Sequence, residues 1–266
     1  LHSKGVLDKI SRCISSEEVS GWLEIGCGTG LMTERILETG CPFTGIELDS
    51  RLALFLREKF LPEADDKVNG RVQFMNTSFL DVKEEYSNLS DGYGIAGNLP
   101  YYLSTPIVER ILLKFQRWKV CYFMVQKEFG ERMFATHGSR TFGRLSLFCS
   151  YYAEVTKAFD VKRGSFFPVP GVDSVFVCLR RREKLPGKAQ EEWFFRLVRQ
   201  AFSQRRKIAR GLLKVLCKEE LLDAAFAETG IEPRSRAEEI SFDKWLGLSD
   251  FICRHSDSMA AENGGL

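Results

Sequence analysis

The stretch NLPYYLSTP, residues 98–106, places a side-chain amide (Asn98), a proline (Pro100) and an aromatic ring (Tyr101) within four residues. Those types suit one chemistry well: holding the exocyclic amine of a nucleobase. Such an amine is a poor nucleophile because its lone pair is delocalised into the ring. The Asn98 side-chain carbonyl and a backbone carbonyl at Leu99 or Pro100 can each accept one N–H and favour the pyramidal form. Proline fixes the backbone direction, and Tyr101 offers a face for stacking. Positioning and electrostatics then supply the catalysis, with no early general base. A strand-ending turn with a packed tyrosine has the same composition, so the surroundings must decide.

A second cluster lies upstream. EIGCGTG puts Gly26, Gly28 and Gly30 between a strand-like run (WLEIG) and a helical one (LMTERILET). Small residues in a first βα turn let a ligand approach the backbone and the helix N-terminus. The spacing is G-x-G-x-G rather than the dinucleotide fingerprint. Glu47 closes the next strand-like run, where an acid can accept hydrogen bonds from ribose hydroxyls. An adenosine ligand without a pyrophosphate is indicated, and S-adenosylmethionine fits.

These residues need a scaffold that brings strand ends together. Short apolar runs at 22–26, 43–48, 71–75, 93–98 and 120–126 alternate with helical patterns at 31–39, 50–60 and 105–115. A further helical stretch is expected over 129–152. The rhythm predicts an α/β fold with a parallel sheet covered by helices. Runs at 153–161 and 173–180 read as an antiparallel pair, and 182–190, with Pro186 and Gly187, as a linker. Apolar residues from Leu197 to Leu213 suggest one helix face. The expected organisation is a catalytic domain over 1–182, a small helical domain over 189–255 and a disordered tail over 256–266.

Bulk properties exclude several classes. With 44% hydrophobic and 28% charged residues the 266-residue chain reads as soluble and globular. It shows no membrane-length apolar run and no signal-peptide pattern. The eight cysteines form no C-x-x-C pair and only three histidines are present, so no metal site is expected. Reduced cysteines packed as small hydrophobes point to a reducing compartment, the cytoplasm. Between Arg180 and Lys214 twelve Lys/Arg stand against three acids, a local charge of 12 − 3 = +9 in a chain of net +2. Arg199, Arg206 and Arg210 would share a face if AFSQRRKIARGLLK is one amphipathic helix. With Arg205 and Lys207 they form an expected RNA-binding surface whose affinity falls steeply with salt.

Five motifs, LEIGCGTGLMT, GIELD, GNLPYYLSTPI, FFPVPGVDS and AFSQRRK, occur in an order that resembles the KsgA-type ribosomal RNA adenine dimethyltransferases. The resemblance runs from Leu1 to about Asp250. It implies a class I, Rossmann-like S-adenosylmethionine-dependent methyltransferase sheet with a small helical C-terminal domain. The activity it implies is dimethylation of N6 on two adjacent adenines in a small-subunit rRNA loop, with a role in small-subunit maturation. The implied partner is the pre-small ribosomal subunit, met by a monomer. Gly26 and Gly28 match the methionine-side loop, Glu47 the ribose-binding acid, and Asn98, Leu99, Pro100 and Tyr101 the amine-binding motif, with Asn98 expected to touch the cofactor as well. Phe166 matches an aromatic on the other face of the target base. Leu1 matches the end of a QNFL motif that folds over the cofactor in the family, and with that motif's first three residues absent the site is expected to be more open.

Two positions depart from the family pattern. Ser78, followed by Phe79, stands where an acid usually holds the adenine amine of the cofactor, which predicts weaker cofactor binding. Gly171 stands where lysine is common. Three rivals remain. AFSQRRK argues against a macrolide-resistance type acting on large-subunit RNA, and Leu99 against a DNA adenine methyltransferase. The intact Asn98, Tyr101 and glycine loop argue against a non-enzymatic assembly or transcription factor.

Overall fold

The computed structural model describes residues 1–67 and 71–262, and the side chains of all of these except 62–67 and 256–262. By its contacts the chain divides into two compact units. The first comprises Leu1–Gly130 and Glu154–Arg181; the second comprises Glu131–Ala153 and the chain from Arg182 on. Residues 131–153 thus group with the C-terminal unit although they precede the expected boundary at 182.

Strands β1 (Trp22–Ile25), β2 (Phe43–Glu47), β3 (Val72–Asn76), β4 (Tyr93–Asn98) and β5 (Trp118–Gln126) are parallel, and β7 (Ser174–Arg181) runs antiparallel to β5. With β6 (Ala153–Val161) at the edge, the order is β3-β2-β1-β4-β5-β7-β6. Residues of β1 and β2 are buried at every position, as expected of strands covered on both faces. The strand order reverses between β1 and β4, and there a crevice opens outside the carboxyl ends of the strands. The crossover helices are α2 (Leu31–Leu37), α3 (Ser50–Lys67) and α4 (Ser104–Lys114). Helix α1 (Lys4–Ser15), which lies outside the βα rhythm, buries Leu7, Ile10 and Ile14 at three- and four-residue spacing. Trp22, Phe43, Phe74, Tyr122 and Phe176 belong to one buried cluster with Ile10 and Ile14.

The second unit corrects two helix expectations. In place of one helix over 129–152 there are α5 (Lys127–Met133), which begins in the first unit, and α6 (Arg144–Tyr152). A turn between them carries Gly138 at φ 80°, and the Ser146 hydroxyl accepts the Gly143 N–H at the new start. Helix α7 (Lys188–Ala201) begins inside the expected linker, and it ends before the basic motif. A 3-10 turn at 202–204 follows, with the Ser203 hydroxyl donating to the Gln200 carbonyl. Ile208 then bridges to Arg236 and Ala209 N–H donates to the Ser235 carbonyl. Only after that does the short α8 (Ala209–Leu213) start. These tertiary hydrogen bonds break what apolar spacing presents as one helix. Helices α9 (Glu219–Glu228) and α10 (Phe242–Glu262) complete the unit. Helix α10 continues past residue 256, where disorder is expected; 263–266 lie outside the described residues.

Candidate active site

A cavity of about 470 Å³ lies at the carboxyl ends of β1, β2 and β4, lined among others by Gly26, Glu47, Ser78, Phe79, Asn98 and Pro100. Gly26 and Gly28 adopt φ of 72° and 57°, the left-handed region that favours glycine. A Cβ on Gly28 would meet nothing within 4 Å, and one on Gly26 only the Asn98 carbonyl at 4.0 Å, so both leave an open cradle. Gly30 differs, since a Cβ there would stand 2.6 Å from the Phe60 ring. Gly30 therefore packs the loop onto α3, and the other two leave open space beside it.

Glu47 is buried, with 8% of its surface exposed. One carboxylate oxygen accepts Gly28 N–H at 2.8 Å and the other Asp49 N–H at 2.9 Å. It thereby ties the glycine loop to the end of β2. Each oxygen keeps acceptor capacity for a ribose hydroxyl. Deeper in β1, Glu24 is fully buried and accepts the Thr33 hydroxyl at 2.6 Å. Burial pushes its carboxyl up to about 8, against the Thr33 bond and with added repulsion from Glu47. Through the Thr33 bond Glu24 braces β1 against α2.

Asn98 is exposed at the end of β4, and Leu99 is buried with its N–H donating to the Met124 carbonyl at 3.0 Å. The close approach of β4 to β1 depends on Gly97, whose Cβ would fall 2.7 Å from the Ile25 carbonyl. The Pro100 carbonyl already accepts Leu103 N–H at 2.9 Å and the Ser104 hydroxyl at 3.1 Å. The Pro100 carbonyl is thus occupied within the loop. Ser104 is the first residue of α4 and is bonded back to the loop. The Tyr101 hydroxyl lies 3.4 Å from Ser174 Oγ, and its ring is partly open to solvent.

Ser78 lines the cavity, but its hydroxyl already accepts Leu80 N–H at 3.2 Å. Phe79 is buried and stacks on Phe115 at 5.2 Å. Leu48, 63% exposed beside Glu47, also lines the cavity and escapes a search for polar ligands. Its only signal in the sequence is its place directly after the acid. Leu1 and Phe166 are brought near each other and not into the cavity lining. His2 N–H donates to the Ser165 carbonyl at 2.8 Å, Leu1 packs on the buried cluster, and Phe166 belongs to that cluster at 7% exposure. The ring that this loop leaves open is Phe167, 86% exposed.

In the second unit the expected basic surface contracts. Arg199, Arg205, Arg206 and Lys207 are exposed, but the helix break keeps Arg199, Arg206 and Arg210 from sharing one helical face. Arg210 is paired with Asp223 at 2.6 Å and Glu219 at 2.8 Å, and Arg205 donates to the Arg140 and Phe142 carbonyls. Arg199, Arg206 and Lys207 form no ion pair among the described residues.

The whole-chain comparison decides the family. A model of ribosomal RNA adenine dimethylases matches residues 1–253. The chain belongs to that family. It is 35% identical to ribosomal RNA small subunit methyltransferase A of Pseudomonas syringae pv. tomato, over 95% of this chain and 91% of that one. It is also 35% identical to the protein of the same name from Nitrosococcus oceani, over 94% and 92%. Among solved structures, a dimethyladenosine transferase from Plasmodium falciparum superposes with a TM-score of 0.80 at 25% identity, covering 96% of this chain and 98% of that one. The 23S rRNA methyltransferase ErmE shares the fold, with a TM-score of 0.75 at 23% identity over 95% and 98%. The fold is that of the class I methyltransferases.

Proposed function

We propose that this chain dimethylates N6 of two adjacent adenines in a loop near the 3′ end of small-subunit rRNA, using S-adenosylmethionine. The observation that carries the reading is one cavity lined by Gly26 of the glycine loop, the buried Glu47 and the exposed strand-end Asn98. Gly26 and Gly28 would face the methionine moiety, Glu47 the ribose and Leu48 the adenine ring, with Ser78 and Phe79 at its edge. Leu1 is kept as a cofactor contact only through the family motif.

When bound, the cofactor supplies a sulfonium methyl group. Asn98 Oδ1 and the Leu99 carbonyl would each accept one amine N–H, holding the nitrogen lone pair toward that methyl, while Pro100 fixes the turn. So held, the amine would be placed to receive the methyl that the cofactor would supply. The nitrogen, now cationic and acidic, loses its proton to water, so no basic side chain is required. Tyr101 offers the open face for the base. Phe166, packed in the core cluster, is assigned to the opposite face only through the family motif.

Arg199, Arg206 and Lys207 would meet RNA phosphates, with Arg205 and Arg210 chiefly shaping that surface. A maturing small subunit is the proposed partner, approached by a monomer in the cytoplasm. No helix among the described residues is long and apolar enough to cross a membrane. Methyl transfer from labelled cofactor to small subunits lacking the modification tests the reading. Wild type should label small-subunit RNA, and Asn98→Ala should lose about a hundredfold or more in rate while still binding cofactor. Label in large-subunit RNA would overturn the substrate assignment.

A further inference from the structure

The loop joining β6 to β7 presents a surface that the amine site does not use. Its end is pinned to the carboxyl edge of the sheet: Lys127 N–H, directly after β5, donates to the Asp173 carbonyl at 3.0 Å. The Asp173 carboxylate accepts Arg163 N–H and the Lys162 ammonium, both at 3.0 Å, and so closes the loop on itself. These bonds hold the Asp173 carboxyl below its ordinary range. Pro168 and Pro170 restrict the backbone further. On this braced loop Phe166 points into the core and Phe167 outward, followed by Val169 and Val172 at 60% and 47% exposure.

An exposed apolar patch on a restrained loop marks an interaction site more often than a packing accident. Lys162 and Arg163 flank this one, and the Lys162 side chain stays 80% exposed despite its pairing. An exposed ring on a loop that also carries two exposed cations suits an unstacked nucleobase and its phosphate. The position agrees, because Ser174 at the loop's end approaches the Tyr101 hydroxyl.

We infer that Phe167 is the stacking platform for the nucleobase next to the target adenine, held open while its neighbour is methylated. This rests on the RNA-adenine reading above and adds a second base subsite to it.

The test measures binding of the full chain, at one fixed salt concentration, to a synthetic RNA stem-loop carrying the two adjacent adenines. Two versions carry an abasic site on one or the other side of the target adenine. For wild type, one abasic position should weaken binding about tenfold, the scale of a single base–aromatic stack. Phe167→Ala should weaken the intact RNA by a similar factor and be nearly indifferent to that abasic change, while Phe167→Trp should restore both. An undiminished abasic penalty in Phe167→Ala overturns the inference. So does a variant that binds the stem-loop normally and loses only whole small subunits, which would assign the ring to a protein contact. If wild type itself fails to prefer this stem-loop over a shuffled hairpin, the RNA-adenine reading falls instead.

Discussion

Glu17 and Glu47 are both nearly buried acids with two partners each, yet they do opposite work. Glu17, just before β1, accepts the Tyr122 hydroxyl at 2.6 Å and both Arg180 guanidinium nitrogens at 2.6 and 2.9 Å. The Arg180 bonds lead in holding its carboxyl below the ordinary range. Its charge is matched by a cation and both oxygens accept side-chain donors from the sheet, so it locks β5 and β7 to the segment after α1. Among the described residues Glu47 has two backbone N–H partners and no cation, and it faces a cavity. A buried acid without a counter-charge retains capacity for a ligand, whereas one with an arginine is part of the frame.

The largest effect expected from this contrast is at Glu47. Glu47→Ala should weaken S-adenosylmethionine binding about a hundredfold by calorimetric titration, because charged hydrogen bonds to a ribose diol are lost. Unfolding free energy should fall by only about 1 kcal/mol, since water can reach the freed N–H groups. Glu17→Ala should do the reverse, lowering unfolding free energy in urea by about 1–3 kcal/mol and leaving cofactor affinity unchanged. The half-exposed Arg180 can regain water, which keeps this below the cost of breaking a fully buried pair. Equal losses of affinity in the two variants would break the comparison.

The pH dependence sharpens it further. The lowered pKa of Glu17 gives stability that is present above the ordinary glutamate pKa and is lost as pH falls through the folded value. Glu24 has the opposite sign. With its carboxyl raised to about 8, the folded state holds a proton that the unfolded state releases, so stability declines as pH rises from about 4.5 to about 8. Glu24→Gln should flatten that decline in thermal unfolding, and Glu17→Gln should flatten the acid limb. A Glu24→Gln protein with the wild-type slope would show that the acid is ionised in place. The smallest change is expected at Ser78. Ser78→Asp should tighten cofactor binding severalfold by restoring a charged acceptor, and no gain would count against placing Ser78 at the cofactor's adenine.

What could be read from the sequence divides along physical lines. The βα rhythm was legible because buried parallel strands are continuous apolar runs, and the glycine loop because only small residues suit positive φ beside a ligand. The strand-end places of Asn98 and Glu47 were legible because each closes a short apolar run. The end of α7 was not, because Leu197, Val198, Ala201, Ile208, Ala209 and Leu212 keep plausible helical spacing across the break. The bonds that divert the chain come from Ser235 and Arg236, far along the sequence. Phe166 and Phe167 were equally opaque: neighbouring rings in a loop have no period to say which one turns inward. The charge of the 180–214 segment overstated its free surface, since Arg180, Arg210 and Lys214 are committed to acids.

The missing side chain at Gly97 has a consequence beyond local fit. With the Ile25 carbonyl where a methyl would have to go, the spacing between the strand that leads into the cofactor loop and the strand that ends in Asn98 is set by backbone against backbone. Rotamer changes cannot widen that gap. A descendant of this chain could therefore change which acceptor it modifies only by rebuilding the loops above the sheet, while the reach from methyl donor to acceptor stays the same.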